Sequence, residues 1–339
     1  MSRIGKQTFL YDCPPVITAH TAIVGPKEGK GPLAPWFDII LEDDLLGQAS
    51  WELAESEMVR RAVEQTLVNV GLRVDQVQAL LGGDLNDQII ASSFAARTLG
   101  IPFLGLYGAC STFIQALLLA AALISAGYLD NAVCAASSHY CTAERQFRFP
   151  VELGNQRPPQ ASWTTTACGC ALVQASGASG LIRITSGTVG KVIDLKIKDA
   201  NHMGAAMAPA VCDCIETHLS DLGRTADDYD LIATGDLGWI GLNILNEMLH
   251  RDNLTIPPEK ILDCGGSIFA QSQDTHAGGS GCGCVASVSC GWLMKRMEQG
   301  EFRRILIAGS GAMLSPTSSQ QGQTIPGVSY AICLEGGKS

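Results

Sequence analysis

The sequence predicts an α/β protein of stacked layers in which one strand–helix–strand unit is built twice. Three observations carry that expectation. The segment ALLGGDL at 79–85 recurs as LIATGDL at 231–237, an offset of 152 residues. A turn, an apolar helix, a glycine and an apolar strand, around Cys110, Gly127 and residues 132–137, recur around Gly283, Gly300 and residues 305–310, an offset of 173. Each copy also has a central helix with no polar face, which needs a sheet on both sides, or a sheet and its own copy. Alternating strands and helices are the mark of parallel βαβ units.

The elements follow in order. Residues 1–40, punctuated by Gly25, Pro26 and the Gly and Pro residues of 29–35, read mostly as ordered loop. Ser50 is a good N-cap, Glu52 and Glu55 complement the positive helix end, and Leu53, Met58, Ala62, Val63, Leu67 and Val70 recur at helical spacing, so a helix runs from Ser50 to Gly71. A strand at 77–81 leads into Gly82-Gly83-Asp84, and a helix follows over 87–99. Then come a buried strand at 101–107, the turn GACST at 108–112, an apolar helix to about 126 and a strand at 131–137. Residues 149–163, with Pro150, Pro158 and Pro159, form an irregular excursion. The halves are residues 1–178 and 179–339. The second holds a helix at 203–219, a strand at 229–234 ending in Gly235-Asp236, a helix at 241–250, a Gly-rich turn at 278–284, a second uncharged helix at about 285–298 and a strand at 304–310.

Composition excludes several classes. The 339 residues carry 23 Lys plus Arg against 33 Asp plus Glu, a net charge of −10 without a basic run, which argues against nucleic-acid binding. Charged residues make up 17% and hydrophobic ones 46%, too apolar for a disordered chain. The uncharged run at 98–129 is broken by Pro102, Gly105, Gly108 and Gly127, and its most apolar stretch, 116–124, is far short of the ~20 residues that span a bilayer. No signal-peptide core follows Met1. The 13 cysteines, odd in number, read as reduced core thiols. The pairs Cys168/Cys170, Cys212/Cys214 and Cys282/Cys284 lack the usual zinc spacing and read as packed strand faces.

The candidate site residues gather around Cys110. It sits at a tight strand-to-helix turn, next to Ser111, where free helix N–H groups lower a thiol pKa and can hold an anion. His139, after the strand end that includes Ser138, is the preferred pocket histidine, and His276 precedes the second Gly-rich turn; each could instead be a hydrogen-bonded loop residue. His218 and His250 lie on charge-rich helices and read as solvated. Asp84 and Asp236 occupy duplicated strand ends, where ligands of open α/β sheets bind. They suit a shared cation or a general base, or else cap helices. Arg145 and Arg148 form an i, i+3 pair beside His139, suited to carboxylates or to surface pairing with Glu144 or Glu152. The turn at 278–284 lacks the nucleotide-loop spacing, so neither ATP nor NAD is expected.

The order and spacing of GKQT (5–8), VGPKE (24–28), GACST (108–112), SSH (137–139), TAERQFR (142–148), AMAPA (206–210), TGDL (234–237), GGSGC (278–282) and LSPT (314–317) resemble the stage V sporulation protein AD family. That family is similar to ketoacyl synthases of the type III kind. The resemblance implies a thiolase-like five-layered αβαβα sandwich. It also implies non-catalytic binding of dipicolinate, or its calcium chelate, for uptake into the developing spore. Expected partners are membrane proteins of the same operon, with the chain peripheral to the spore inner membrane and pairing as a homodimer. No cofactor is expected, unless calcium arrives with the ligand near Asp84 and Asp236. Condensing enzymes pair the nucleophilic Cys with a His at the second-half strand end and with Asn or His in the second Gly-rich turn. Here Gly235-Asp236 and Gly279-Ser280 stand at those places, which implies a vestigial nucleophile at Cys110. The alternative is an acyltransferase that uses Cys110 covalently, with His276 substituting from a shifted loop.

Overall fold

A computed structural model describes residues 2–178 and 182–336. The expected boundary between halves, 178/179, meets residues outside that description. The first half contributes β1 (Val16–Val24), α1 (Trp51–Val68), β2 (Leu80–Gly83), α2 (Ile90–Leu99), β3 (Phe103–Gly105), α3 (Thr112–Ser125), β4 (Asn131–Ser138), α4 (Tyr140–Phe147) and β5 (Ala167–Gln174). The second contributes β6 (Ile182–Val189), α5 (Met203–Leu222), β7 (Leu231–Thr234), α6 (Gly238–Arg251), β8 (Ile261–Asp263), α7 (Cys264–Ile268), α8 (Cys282–Val288), β9 (Arg304–Ala312) and β10 (Gly327–Gly336). A π-helical turn, Ser289–Leu293, carries α8 on into Met294–Glu298. Lys295, Arg296 and Glu298 make that last turn polar, so only its earlier part is the uncharged helix expected.

The strand order is β1-β5-β4-β2-β3 in the first half and β6-β10-β9-β7-β8 in the second. In each, the first two pairings are antiparallel and the last two parallel. The halves therefore repeat in topology as well as in motif. They share an edge where Ile17 pairs with Ile182 and Val16 with Arg183. Helix α3 packs on β4, β2 and β5 of one half and on β10, β9 and β6 of the other, with α8 beside it. Helices α1 and α2 cover the outer face of the first sheet, and α5 and α6 that of the second. The result is the five-layered αβαβα sandwich, and the charge-free sequence of α3 is what a helix between two sheets requires.

Several local expectations change. The N-terminal forty residues are not mostly loop: nine of them form β1, a core strand with eight buried positions. Strands β6, β8 and β10 and helices α4 and α7 were not expected, and β5 only through the strand face read for Cys168 and Cys170. Cys168 and Cys170 do share β5, but Cys212/Cys214 and Cys282/Cys284 lie on α5 and α8, where i and i+2 diverge. His218 is not solvated. It is fully buried on α5, bonded to Thr188 Oγ1 (2.7 Å) and the Tyr229 hydroxyl (2.9 Å), and burial pushes its pKa down to about 3.

Candidate functional site

Strand β3 delivers the chain to Tyr107, and Ala109 then adopts φ 48°, a left-handed conformation costly for a residue with a Cβ. Side chains hold the turn: Ser111 Oγ donates to the Gly108 carbonyl (2.6 Å), and Thr112 Oγ1 donates to the Ala109 carbonyl (2.7 Å) while accepting from Gly108 N–H (3.0 Å). This places Cys110 just before α3, 5% exposed, at the floor of a slot. Leu85, Tyr107, Phe147, Met203 and Leu314 give the slot apolar walls, and Arg148, Thr164 and Ser280 give it polar ones. It leaves about 30 Å³ in which the centre of a water can move, room for about two waters.

Behind Cys110 stands Asp236. Its carboxylate accepts from Ser310 Oγ (2.6 Å), Ser280 Oγ (2.8 Å) and Gly281 N–H (2.8 Å). Gly281 sits at φ 108°, where a Cβ would lie 2.6 Å from Ser138 Oγ. The Cys110 thiol is within hydrogen-bonding reach of this carboxylate. Burial first, and then the Asp236 charge, push its pKa well above the ordinary thiol value. The expectation that the helix N-terminus would lower that pKa is therefore corrected: a partial dipole charge is outweighed by a desolvated thiol facing a carboxylate. Burial raises the Asp236 carboxyl as well, so thiol and acid share a desolvated pocket that disfavours the charged form of each.

Arg148 is the other polar feature. Its side chain is 6% exposed and pairs through Nη1 with Glu144, equally buried. Its Nε and Nη2 are buried without a hydrogen-bond partner. Those two nitrogens form one side of the guanidinium fork, the geometry that takes a carboxylate in bidentate fashion. The Glu144 pairing considered from sequence occurs, but inside the protein and not on its surface.

Of the expected site residues, Cys110, Asp236 and Arg148 come together, with Ser280 from the second Gly-rich turn. The others are engaged elsewhere. Asp84 accepts from Asn86 N–H (2.9 Å) and Ser92 N–H (2.8 Å) and caps α2, so it does not mirror Asp236. In the second half that capping belongs to Asp263, which accepts from Leu237, Gly238 and Gly266 N–H. His139 caps α4: Nδ1 accepts from Cys141 N–H (3.2 Å), Nε2 lies 2.8 Å from the Asp44 carbonyl, and burial lowers its pKa. Strand β2 also separates β4 from β3, so His139 is not on the strand next to Cys110. Arg145 pairs with Glu52 at the surface, over the Trp51 ring. Ser111 is spent on its own turn, Ser138 Oγ donates to the Thr165 carbonyl (2.8 Å), and His276 is exposed on a loop beside Asp274.

Two groups were not anticipated. Ser310 lies 173 residues after Ser137, and each serine donates to a buried acid, Asp236 or Glu55, so the repeat alignment already held that signal. Glu55 on α1 is fully buried, bonded by Asn86, Ser137 and Thr142, with its pKa pushed up to about 8 by burial and then by Asp84. Among the described residues, the group of three that could hold a metal ion is Cys212, Glu216 and Asp252, far from the expected aspartates in sequence. No described helix is long and apolar enough to cross a membrane.

Comparison with known proteins agrees with this architecture. The family model for stage V sporulation protein AD matches residues 5–335. The stage V sporulation protein AD of Bacillus subtilis (strain 168) is 43% identical over 335 residues, covering 99% of this chain and 98% of that protein. Among solved structures, the fold is similar to 3-oxoacyl-(acyl carrier protein) synthase III, FabH, of Pseudomonas aeruginosa PAO1 (TM-score 0.59, 17% identity, 96% of this chain and 99% of that one). The 3-oxoacyl-[acyl-carrier-protein] synthase III of Aquifex aeolicus VF5 gives 0.57 at 13% identity, covering 95% and 99%. A synthase-like fold, read with a family match over nearly the whole chain and a relative 43% identical along its length, makes this protein a member of the stage V sporulation protein AD family.

Proposed function

We propose that this sporulation protein binds a small planar carboxylate, dipicolinate, at Arg148 without transforming it. The observation that carries the reading is the buried fork edge of Arg148, two charged donors with no partner beside an apolar slot. Leaving such donors unpaired costs free energy that a bound carboxylate recovers. The neutral Cys110 and the Asp236 carboxylate behind it argue against acyl transfer, since a thiolate and a stabilised oxyanion are what that chemistry needs. Both Asp84 and Asp236 have their oxygens engaged, so the reading favours the free dianion over the calcium chelate. At about 30 Å³ the slot is closed to a flat ring, so this reading requires its apolar walls, Tyr107, Phe147 and Leu314 among them, to move aside. In this reading the chain serves dipicolinate uptake into the developing spore, as a homodimer beside membrane proteins of its operon.

Calorimetric titration with dipicolinate, with and without calcium, tests the proposal. Saturable binding without calcium is expected, and the absence of any saturable heat refutes it. The synthase-like fold supports a second reading, acyl transfer through Cys110. Incubation with acyl-CoA thioesters followed by intact-mass measurement separates the two: an adduct lost in Cys110→Ala favours the enzyme.

A further inference from the structure

We propose that the open groove outside Arg148 is a second carboxylate site, held by Arg157 and Tyr140, where the ligand of the slot first lodges. The inference rests on the reading that a carboxylate reaches Arg148. The groove, lined by Tyr140, Glu144, Arg148, Arg157 and Asn201 among others, offers about 440 Å³ where the slot offers about 30 Å³. Arg148 borders both cavities, so a ligand can pass from one to the other without leaving its guanidinium.

The groove is braced rather than loose. Arg157 lies over the Trp163 ring at 4.4 Å and donates to the carbonyls of Ser162 (3.0 Å) and Asp274 (3.3 Å). Tyr140 stacks on the same Trp163, with ring centroids 3.8 Å apart and planes 6° apart. Lys27 Nζ sits 3.8 Å from that ring as well. Arg157 forms no salt bridge among the described residues; its nearby carboxylates are Glu144, already paired with Arg148, and Asp274. Arg148, Arg157 and Lys27 thus meet the two carboxylates of Glu144 and Asp274, an excess of positive charge in a protein of net charge −10. A planar diacid suits this site: one carboxylate meets Arg157 and the Tyr140 hydroxyl, and the other lies toward Arg148, whose side chain borders the groove.

Stopped-flow Trp fluorescence with dipicolinate tests the groove, using Arg157→Gln, Tyr140→Phe and a slot-filling Cys110→Leu (Ala143→Leu if that variant fails to fold). Arg157→Gln is expected to slow association at least tenfold, and Tyr140→Phe to slow it less. The slot-filled variant is expected to keep a weaker binding phase that Arg157→Gln then abolishes. An association rate within twofold of the parent in Arg157→Gln, or no binding left in the slot-filled variant, overturns the groove while leaving the slot reading standing. Unchanged binding in the slot-filled variant, lost in Arg157→Gln, keeps the groove and overturns the slot. No binding to the parent protein overturns both.

Discussion

Replacing Arg148 by Met, alone and with Glu144→Gln, separates binding from packing. In the free protein Nε and Nη2 are buried without partners, and each such donor costs about 1–3 kcal/mol, so the two together hold roughly 2–6 kcal/mol that a bidentate carboxylate recovers. Losing a desolvated charged contact costs about 2–4 kcal/mol of binding, so Arg148→Met should weaken dipicolinate affinity by roughly 30- to 700-fold. Stability should move the other way between the two variants. Arg148→Met alone strands Glu144, 5% exposed, and should destabilise by about 3–5 kcal/mol. The double variant removes both charges and should be as stable as the parent or more so, because apolar replacements of buried ion pairs are often neutral or stabilising. Urea unfolding reads the stabilities and calorimetry the affinities. A double variant that binds dipicolinate within threefold of the parent would refute the role given to the fork edge.

Three further outcomes are expected. His218, held neutral down to about pH 3, leaves the fold fully stable above the unfolded histidine pKa of about 6.5, and stability falls as pH drops toward 3 by about 1.36 kcal/mol per unit. His218→Gln should flatten that acid slope in urea titrations between pH 6 and 4, and an unchanged slope contradicts the assignment. Glu55 has the opposite sign: its carboxyl keeps a proton up to about pH 8, so its contribution is full below the unfolded value of about 4.3 and is lost as pH rises through 8. Glu55→Gln should therefore gain on the parent between pH 5 and 8, and a constant difference argues against a protonated Glu55. Ala109→Gly should raise stability by about 1 kcal/mol by relieving the left-handed turn, and a destabilised variant shows the turn is not strained.

Strands β2, β3, β4, β7 and β9 were legible as apolar runs, β2 and β7 also by the Gly-Asp at their ends, while β8, three residues long, was not. Nor were β1, β6 and β10, nor β5 beyond its Cys168/Cys170 spacing. Strands β1, β5 and β10 are buried on both faces and rich in Ala, Cys, Gly, Ser and Thr, so they show neither period-two alternation nor a long aliphatic run. At the site, Cys110, Arg148 and Asp236 stood out by position and rarity. Their use did not: Arg145 and Arg148 are three residues apart, yet one faces water with Glu52 and the other is sealed inside with Glu144. Asp84 and Asp236 look equivalent in the repeat, and only packing shows that one caps a helix while the other faces a thiol.

By itself the sequence determined the duplicated architecture, the absence of a basic run and the turn that presents Cys110, because those follow from periodicity, composition and short-range sterics. Tertiary structure alone decided the upward shift of that thiol's pKa, the vacant edge of Arg148 and the narrowness of the slot. Each depends on which distant groups exclude water from a buried charge, and desolvation is set by neighbours that chain order does not reveal.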